Sequence, residues 1–464
     1  MTESSRRPTA LVVAYCFPPH AAIGTHRTLR LISHLASHGW KLRVLTVRPK
    51  DFLAGTPVDE RLFDLVPPGV EVERTMAFRG LSRSWQVISR FRPRRAPTVG
   101  AVASAGAASA PVAPARVTAK QLAEELAAMP DKEVGWLAPA VVRGLWRQRA
   151  GRPDVVFSSA PPWTTHLVAW LIASSFSCPW VADFRDPWVR SPWTRYRSRT
   201  ASRMATWMER RVVERADAVL FTTTTARDEF AAHYGARLAP RFVTVFNGCD
   251  PGDIPTSAPR PAADARVTLL HAGTLYGGRN PLPLLRAIAS LRRRRPEVVD
   301  RLAVRFLGSS GLPGVDLQAA CADMGIGNLV EFTARVARGE SLAAIQSASV
   351  LLLLQPGTSM AIPGKLYEYF AAGRPILALC EPGEMADAIN DNRLGLAVQA
   401  TDEAAIEEAL LRLLTAPAGT WAPAPAHLFD GRLRAAEMAA VLERVCLRRD
   451  GVASAHSMEP EGRS

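Results

Sequence analysis

A glycine-rich loop beside a basic side chain is the feature of this sequence best suited to binding an anionic ligand. The segment HAGTLYGGRN, residues 271–280, follows an apolar run and places Gly273 and Gly278 ahead of Arg279 at the start of a predicted helix. Backbone N–H groups exposed by glycines, together with one guanidinium, suit a diphosphate. The spacing therefore predicts a diphosphate site at this loop.

The segment AIPGKLYEYFAAGRPILAL, residues 361–379, carries a second set of polar groups. Pro363 suits the first position of a helix, Lys365 and Glu368 fall in its first two turns, and Gly373 ends it before a strand. A carboxylate near a helix start can bind two ribose hydroxyls, and the same end can hold a phosphate. The alternative is that Glu368 is an exposed helix charge.

Two segments of the first half are weaker candidates. PPHAAIGTHR, residues 18–27, places Gly24 before a helix, which suits an anion but fits a plain turn equally well. It is no dinucleotide fingerprint, because the next strand ends without the acid that would hold a ribose. VADFRDPW, residues 181–188, places Arg185 and Asp186 past a strand end, where a structural ion pair is the alternative.

Apolar runs that alternate with helical periodicity predict the scaffold for these loops. Such alternation indicates an α/β fold of two Rossmann-like, doubly wound parallel sheets. A cleft between two sheets would hold two substrates at strand carboxyl ends. The predicted strands are 10–17, 41–47, 154–160, 179–184, 218–223, 242–246, 267–273, 302–308, 329–334, 350–355, 375–380 and 394–399.

The chain length of 464 residues suits two domains. We expect a first domain over 1–248, interrupted by a Pro/Ala/Ser-rich insertion at 93–118 without fixed structure. A connector at 249–265 leads to a second domain at 266–425, a C-terminal helix at 426–449 and a disordered tail at 450–464.

The net charge of +14 favours an anionic partner, although a GC-rich genome explains the arginines equally well. Nucleic acid is disfavoured because no nucleic-acid-binding motif is present. Six scattered cysteines and the lack of a signal peptide or long apolar run predict a cytoplasmic protein. No acid cluster or His/Cys spacing suits a metal.

The stretch 74–123 contains no acidic residue and predicts contact with a membrane. Trp85, Ile88 and Phe91 share one helical face among nearby arginines, as in helices that lie at the lipid interface. Packing of the three apolar side chains on the protein's own sheet is an equally weighted alternative. The arginines are Arg83, Arg90, Arg92, Arg94 and Arg95.

These segments, in this order, resemble the retaining glycosyltransferases of family 4 (group 1), which have the GT-B fold. FNGCD, residues 246–250, is similar to the family's signature at the domain crossover. FSSAPPWTTHLVA and DFRDPW resemble a branch acting on polysaccharide precursors or lipid-linked acceptors. The resemblance implies a nucleotide-sugar donor (UDP- or GDP-sugar), a sugar, lipid-linked or metabolite acceptor, and no other cofactor.

The resemblance also implies residue roles. Arg279 takes the place of the family's diphosphate-binding Lys, and Glu368 that of the ribose-binding second Glu of its Glu–seven residues–Glu motif. The candidate catalytic residues are Arg279, Glu368, Lys365 and Asp186. The donor residues are Gly24, Gly273, Thr274, Gly278, Gly364, Leu366, Tyr367 and Glu368, and the acceptor-side residues are Arg27, Arg185 and Asp186.

Two positions depart from the family pattern. Met360 stands where the first Glu of the motif belongs, and Thr274 stands where an Arg follows the glycine. A non-catalytic partner protein with this fold, or a sugar-nucleotide epimerase or phosphorylase, therefore stays an alternative. An epimerase would show acid/base carboxylates and histidines, and a phosphorylase a pyridoxal lysine; neither pattern is clear.

Overall fold

The computed structural model describes two compact units. The first contains the described residues up to Phe246 and those from Arg432 onward, and the second contains Asn247–Gly431. The described residues are 7–78, 118–148, 151–191, 194–250, 252, 266–275, 278–309, 312, 314–417 and 419–456. The predicted membrane helix at Trp85, Ile88 and Phe91, and nearly all of the 93–118 insertion and the connector, lie outside them.

The first unit is a seven-stranded parallel sheet in the order β3-β2-β1-β4-β5-β6-β7. Its strands are β1 (Thr9–Val13), β2 (Lys41–Val47), β3 (Glu71–Thr75), β4 (Val155–Ala160), β5 (Trp180–Phe184), β6 (Ala218–Phe221) and β7 (Phe242–Thr244). Its helices are α1 (Ile23–Ser37), α2 (Ala119–Ala127), α3 (Leu137–Gln148), α4 (Thr164–Ser175), α5 (Arg199–Arg215) and α6 (Thr224–Tyr234).

The core of the first unit forms because its central strands are apolar on both faces, as parallel strands covered by helices must be. Every residue of β1 and β4 is buried. Leu29 and Ile32 of α1 join this core. The C-terminal helix belongs to the same core, since Met438 and Leu442 pack in it. The sequence did not predict that this helix returns to the first unit.

A buried ion pair crosses this core. Arg27 of α1 donates through Nε and Nη2 to the carboxylate of Asp183 in β5, with a shortest distance of 2.8 Å, and the two side chains are 3% and 0% exposed. The same guanidinium donates to the carbonyls of Val245 and Phe246 at 3.0 and 2.8 Å. Ser159 of β4 donates to Asp183 at 2.7 Å. One charged network therefore joins α1, β4, β5 and the backbone of Val245 and Phe246, which follow β7.

The second unit is a six-stranded parallel sheet in the order β10-β9-β8-β11-β12-β13. Its strands are β8 (Val267–Ala272), β9 (Leu302–Leu307), β10 (Val330–Thr333), β11 (Val350–Gln355), β12 (Ile376–Cys380) and β13 (Gly395–Val398). The helices are α7 (Leu282–Arg294), α8 (Pro296–Val299), α9 (Leu317–Asp323), α10 (Arg338–Ser347), α11 (Gly364–Ala372), α12 (Glu384–Asp391) and α13 (Glu403–Thr415). Leu285 and Ile288 of α7 and Leu352 of β11 lie in its core.

The sequence predictions of secondary structure are confirmed for the strands, each of which is present within a few residues. β3 was missed, because its alternating acids and short length carry a weak apolar signal at the sheet edge. The last helix, α14 (Gly431–His456), continues past residue 450, where a disordered tail was expected. Within the described residues, no helix is both long and apolar enough to cross a bilayer.

Removing the buried carboxylate tests how much the first unit depends on the Arg27–Asp183 pair. Asp183→Ala leaves a buried guanidinium without its counter-charge, which costs about 3–5 kcal/mol of unfolding free energy. Urea unfolding measures this loss, and hydrogen exchange of the β1 and β5 amides reports on this unit alone. The double variant Arg27→Met/Asp183→Ala should recover part of it.

The matched control is Asp228→Ala, which removes an exposed carboxylate paired with Arg227 on the same unit. This exposed pair is expected to contribute less than about 1 kcal/mol. A loss for Asp183→Ala as small as that of the control would show that the buried pair is not structurally important.

Candidate functional site

The two glycine and helix-start motifs of the second unit lie at the point where its sheet changes direction. From β8 the chain continues to β9 and β10 on one side, while β11, β12 and β13 extend the sheet on the other. Ligands of open α/β sheets bind at the carboxyl ends of strands at such a switch point. The loops that follow β8 and β11 there are 273–281 and 356–363. The sheet order thus brings together two segments 80 residues apart.

Direct contacts join these two loops. Arg279 donates through Nη2 to Oε1 of Gln355, the last residue of β11, at 2.8 Å. A Cβ at Gly278 would lie 3.4 Å from the ring of Pro356. Gly308, which follows β9, lies against the start of the β8 loop. A Cβ at Gly308 would lie 2.4 Å from the Gly273 carbonyl oxygen, so this close backbone contact needs a glycine. Arg279 is therefore held at the carboxyl edge of the sheet.

His271, in β8 beneath the loop, was not predicted as a site residue. Its Nδ1 lies 3.0 Å from the Leu352 carbonyl oxygen. Burial lowers the pKa of His271 to about 4, and the positive charges of Arg279 and Lys365 contribute to the shift. Both cations therefore lie close enough to one buried ring to act on its charge. A histidine within the apolar run VTLLHAG was the sequence feature that could have identified it.

Glu368 is buried rather than exposed, which corrects the interpretation of it as a simple helix-surface charge. It is 8% exposed. Arg338, the first residue of α10, donates to Glu368 Oε1 at 2.9 Å, and Lys365 Nζ lies 3.0 Å from Oε2. The carboxylate therefore lies between two cations. Arg338 could not be identified from the sequence pattern, because it comes from a different helix.

The start of α11 lies one residue later than predicted. Pro363 caps the helix, Gly364 is its first residue, and Gly373 ends it in the left-handed conformation with φ +62°. The side chains of Leu366 and Tyr367 are buried. Because the Leu366 N–H already donates to the Pro363 carbonyl at 3.0 Å, the amides of Gly364 and Lys365 are better placed to meet an anion.

The remaining predicted donor residue, Thr274, lies directly after Gly273 in the β8 loop. Ser309, which follows β9, donates to the Thr274 hydroxyl at 3.5 Å. Thr274 thus keeps a polar hydroxyl at the position where the family has a cation.

The first unit has an equivalent switch point between β1 and β4. Gly24 lies in the first turn of α1, and a Cβ there would lie 2.3 Å from the guanidinium carbon of Arg185. Arg185 also donates to the Ser159 hydroxyl at 2.8 Å and to the Pro161 carbonyl. The absence of a side chain at position 24 thus lets a cation lie against the helix start.

Arg27 and Asp186 are both predicted on the acceptor side, but only Asp186 lies in the loop at the carboxyl end of β5. Arg27 is 3% exposed and bound to Asp183, so it is a buried structural group rather than one at the ligand edge. Burial raises the pKa of Asp186, against the opposing charge of Arg185. For Asp183, burial alone would raise the pKa, but Arg27 and hydrogen bonds outweigh it and hold the pKa below its ordinary value.

Sequence reasoning missed two further polar groups near this switch point. Burial, together with Arg185, lowers the pKa of His20 to about 4, and His20 Nδ1 accepts the Ala22 N–H at 3.2 Å. Burial and the neighbouring Asp131 raise the pKa of Glu133 to about 7. His20 lies within the PPHAAIG loop and could have been noticed. Glu133 could not, since its segment is placed by tertiary contacts, such as the Thr164 N–H that donates to Asp131 at 2.8 Å.

In the part of the chain that the structure describes, no group of three His, Cys, Asp or Glu side chains is arranged to hold a metal ion. The charged groups brought to the switch point of the second unit are instead Arg279, Lys365 and Glu368.

Two Rossmann-like units, each with a glycine-bearing loop and a cation at its switch point, define a protein of the GT-B architecture. Residues 98–248 match the glycosyl transferase 4-like domain, and residues 266–416 match the glycosyl transferases group 1 domain. The chain therefore belongs to the group 1 (family 4) glycosyltransferases.

Curated relatives are also named as glycosyltransferases. A D-inositol 3-phosphate glycosyltransferase of Streptomyces avermitilis is 32% identical over 221 residues, which cover 45% of this chain and 47% of that protein. One from Streptomyces scabiei is 30% identical over 284 residues, covering 56% and 60%. The chain thus spans about half the length of the curated relatives it matches.

Solved structures share the fold at low identity. Sucrose-phosphate synthase from Thermosynechococcus elongatus superposes with a TM-score of 0.57 at 16% identity, covering 98% of this chain and 100% of that chain. Anabaena HepE in complex with UDP and glucose superposes with a TM-score of 0.58 at 13% identity, covering 94% and 100%. These similarities support the GT-B fold for both units.

Proposed function

We propose that this protein is a retaining glycosyltransferase that moves a sugar from a UDP- or GDP-sugar to an acceptor without a divalent metal. The observation that carries the proposal is that Arg279 and the start of α11, which bears Lys365, belong to the two connections that leave the sheet at the switch point of the second unit. Family membership supports transfer as the reaction and retention as its stereochemistry. The UDP complexes of HepE make UDP the first nucleotide to test.

The donor is proposed to bind at the second unit. Its diphosphate would meet Arg279 and the amides of Gly364 and Lys365, and its ribose would meet Glu368. As the sugar leaves, negative charge grows on the diphosphate, and fixed cations stabilise that charge more than they stabilise the bound donor. Because Glu368 is paired with Arg338 and Lys365, donor binding would exchange part of the Lys365 contact for diphosphate.

The acceptor is proposed to bind at the first unit, beside Arg185 and Asp186, where the switch-point loops of that unit meet. Burial raises the pKa of Asp186, and its carboxyl oxygens are suited to hydrogen-bond a sugar hydroxyl. We further propose a polysaccharide precursor or lipid-linked acceptor, with the protein in peripheral contact with the inner face of the cell membrane.

Metal independence is tested with purified protein and UDP- and GDP-sugars, following donor hydrolysis or transfer. Activity should be unchanged in excess EDTA, since fixed cations replace the metal's role at the diphosphate. Complete loss in EDTA, restored by Mg²⁺ or Mn²⁺, would overturn this mechanism. Specific donor binding in a thermal-shift screen without any turnover would instead favour the non-catalytic alternative that Met360 permits.

Glu368→Gln keeps the size of the side chain and a hydrogen-bond acceptor for Arg338 while removing the charge. The donor KM should rise roughly tenfold to hundredfold, the scale of a hydrogen bond to a charged group. Steady-state kinetics with varied donor measures this, and thermal unfolding verifies the fold. The control is Glu331→Gln, which removes an exposed carboxylate paired with Arg305 on the same unit. Equal donor KM values for Glu368→Gln and wild type would remove Glu368 from the donor site.

Arg279→Ala should lower kcat/KM. The expected loss corresponds to about 2–4 kcal/mol of transition-state stabilisation, the scale of one preorganised electrostatic donor. Arg279→Lys should recover part of the loss, because a point charge can replace the guanidinium at a diphosphate. Arg286→Ala is the control, since Arg286 is exposed on α7 and pairs with Glu403. If Arg279→Ala turns over like this control, the diphosphate binds elsewhere.

A further inference from the structure

The helix that follows β5 in the first unit has two contrasting faces. The inner face of α5 carries Ala201 and Ala205, which pack in a small cluster with Met129. The opposite face, with the approach to it, is basic and exposed and carries one large aromatic side chain. This basic face consists of Arg195, Arg197, Arg199, Arg203, Trp207, Arg210 and Arg211.

The charge on the basic face is largely unneutralised. Glu214 pairs with Arg210 at 2.7 Å and with Arg211 at 3.7 Å. Among the residues that the structure describes, no carboxylate forms an ion pair with the other four arginines. Glu125 accepts hydrogen bonds from the backbone amides of Arg197 and Ser198 rather than from an arginine side chain of the face. The end of the face near the start of α5 is therefore the more positive.

Other arginine-rich helix surfaces of this protein are paired. On and just after α7, four of the five arginines each have their own carboxylate partner, and Arg293 is the exception among the described ion pairs. The pairs are Arg286 with Glu403, Arg292 with Asp300, Arg294 with Glu407, and Arg295 with Glu297. Arginine content alone therefore does not explain the basic face, because the same residue type is neutralised on α7.

Trp207 indicates which polyanion fits the face. Its side chain is 51% exposed, and the guanidinium of Arg211 lies 5.7 Å from the centre of its ring. An exposed tryptophan among arginines suits a lipid interface, where the ring enters the headgroup region and the cations meet anionic headgroups. Single-stranded nucleic acid would need several aromatic rings to stack successive bases, and the described face has one.

The position of the face relates it to the acceptor edge of the first unit. In a parallel α/β sheet, the helix after a strand begins at the strand's carboxyl end. Arg185 and Asp186 directly follow β5, and the same connection passes through Arg195 and Arg197 into α5. The most positive part of the face and the proposed acceptor residues are thus on one connection.

We propose that the basic face docks the protein on an anionic lipid surface and holds the acceptor edge of the first unit next to it. This inference rests on the proposed membrane acceptor and is separate from the stretch around Trp85, which lies outside the described residues. It assigns the membrane contact to α5 and to the segment that leads into it.

The test is sedimentation of the full chain with vesicles of phosphatidylglycerol and phosphatidylcholine, against vesicles of phosphatidylcholine alone. Wild type should pellet with the anionic vesicles at low salt and be released at high salt. Replacing the four arginines without a described ion pair should lower the partition coefficient by about a hundredfold or more, since each contributes a factor of roughly five near an anionic leaflet. The variant is Arg195→Gln/Arg197→Gln/Arg199→Gln/Arg203→Gln.

Two further variants separate charge from apolar insertion. Trp207→Ala should weaken binding several-fold at low salt although no charge is removed, and Trp207→Phe should restore part of it. The control removes the same number of charges from the paired surface and should pellet like wild type. It is Arg286→Gln/Arg292→Gln/Arg294→Gln/Arg295→Gln.

The outcomes distinguish this inference from the proposed function. If the four-arginine variant of α5 pellets like wild type, or if wild type fails to pellet and instead binds a single-stranded oligonucleotide, the inference is wrong. Donor hydrolysis, measured in the same preparations, is independent of lipid. Donor hydrolysis without vesicle binding would support the proposed transferase function and contradict membrane docking by the basic face. Arginine-dependent vesicle binding without any donor binding would support membrane docking and contradict the transferase function.

Discussion

The buried pair of Arg27 and Asp183 is the interaction on which the first unit depends. Two opposite charges in an apolar core are tolerated only when each is paired and hydrogen-bonded, and here the remaining donors reach Val245 and Phe246 while Ser159 satisfies the carboxylate. The same Ser159 hydroxyl accepts from Arg185. Ser159 therefore links Arg185, at the carboxyl edge of the sheet, to the buried pair.

In the second unit, hydrogen bonds tie the loops to neighbouring strands and helices. Tyr369 of α11 is fully buried, and its hydroxyl accepts the Ala272 N–H at 3.1 Å at the end of β8. Gln355 at the end of β11 accepts from Arg279, which follows the β8 loop. These contacts tie the helix of one motif to the strand of the other.

Met360 and Glu368 together describe how this chain departs from its family. Met360 stands where the resemblance places the first carboxylate of the family motif, while Glu368, which it places second, is buried between Arg338 and Lys365. The local charge at the helix start is therefore more positive than two carboxylates would leave it. A positive helix start favours the diphosphate of a donor, and it is consistent with a site that works through fixed cations.

The sequence by itself determined the fold class, the strand runs and the two glycine-bearing loops, because apolar periodicity and glycine punctuation are local signals. It missed β3, the partner Arg338 and the buried state of Glu368, and it placed Arg27 at the ligand edge. These depend on which strands become neighbours. Only the sheet order puts α1 over β5 and α10 beside α11, and only that packing decides whether a charged side chain meets solvent, a ligand or a buried counter-charge.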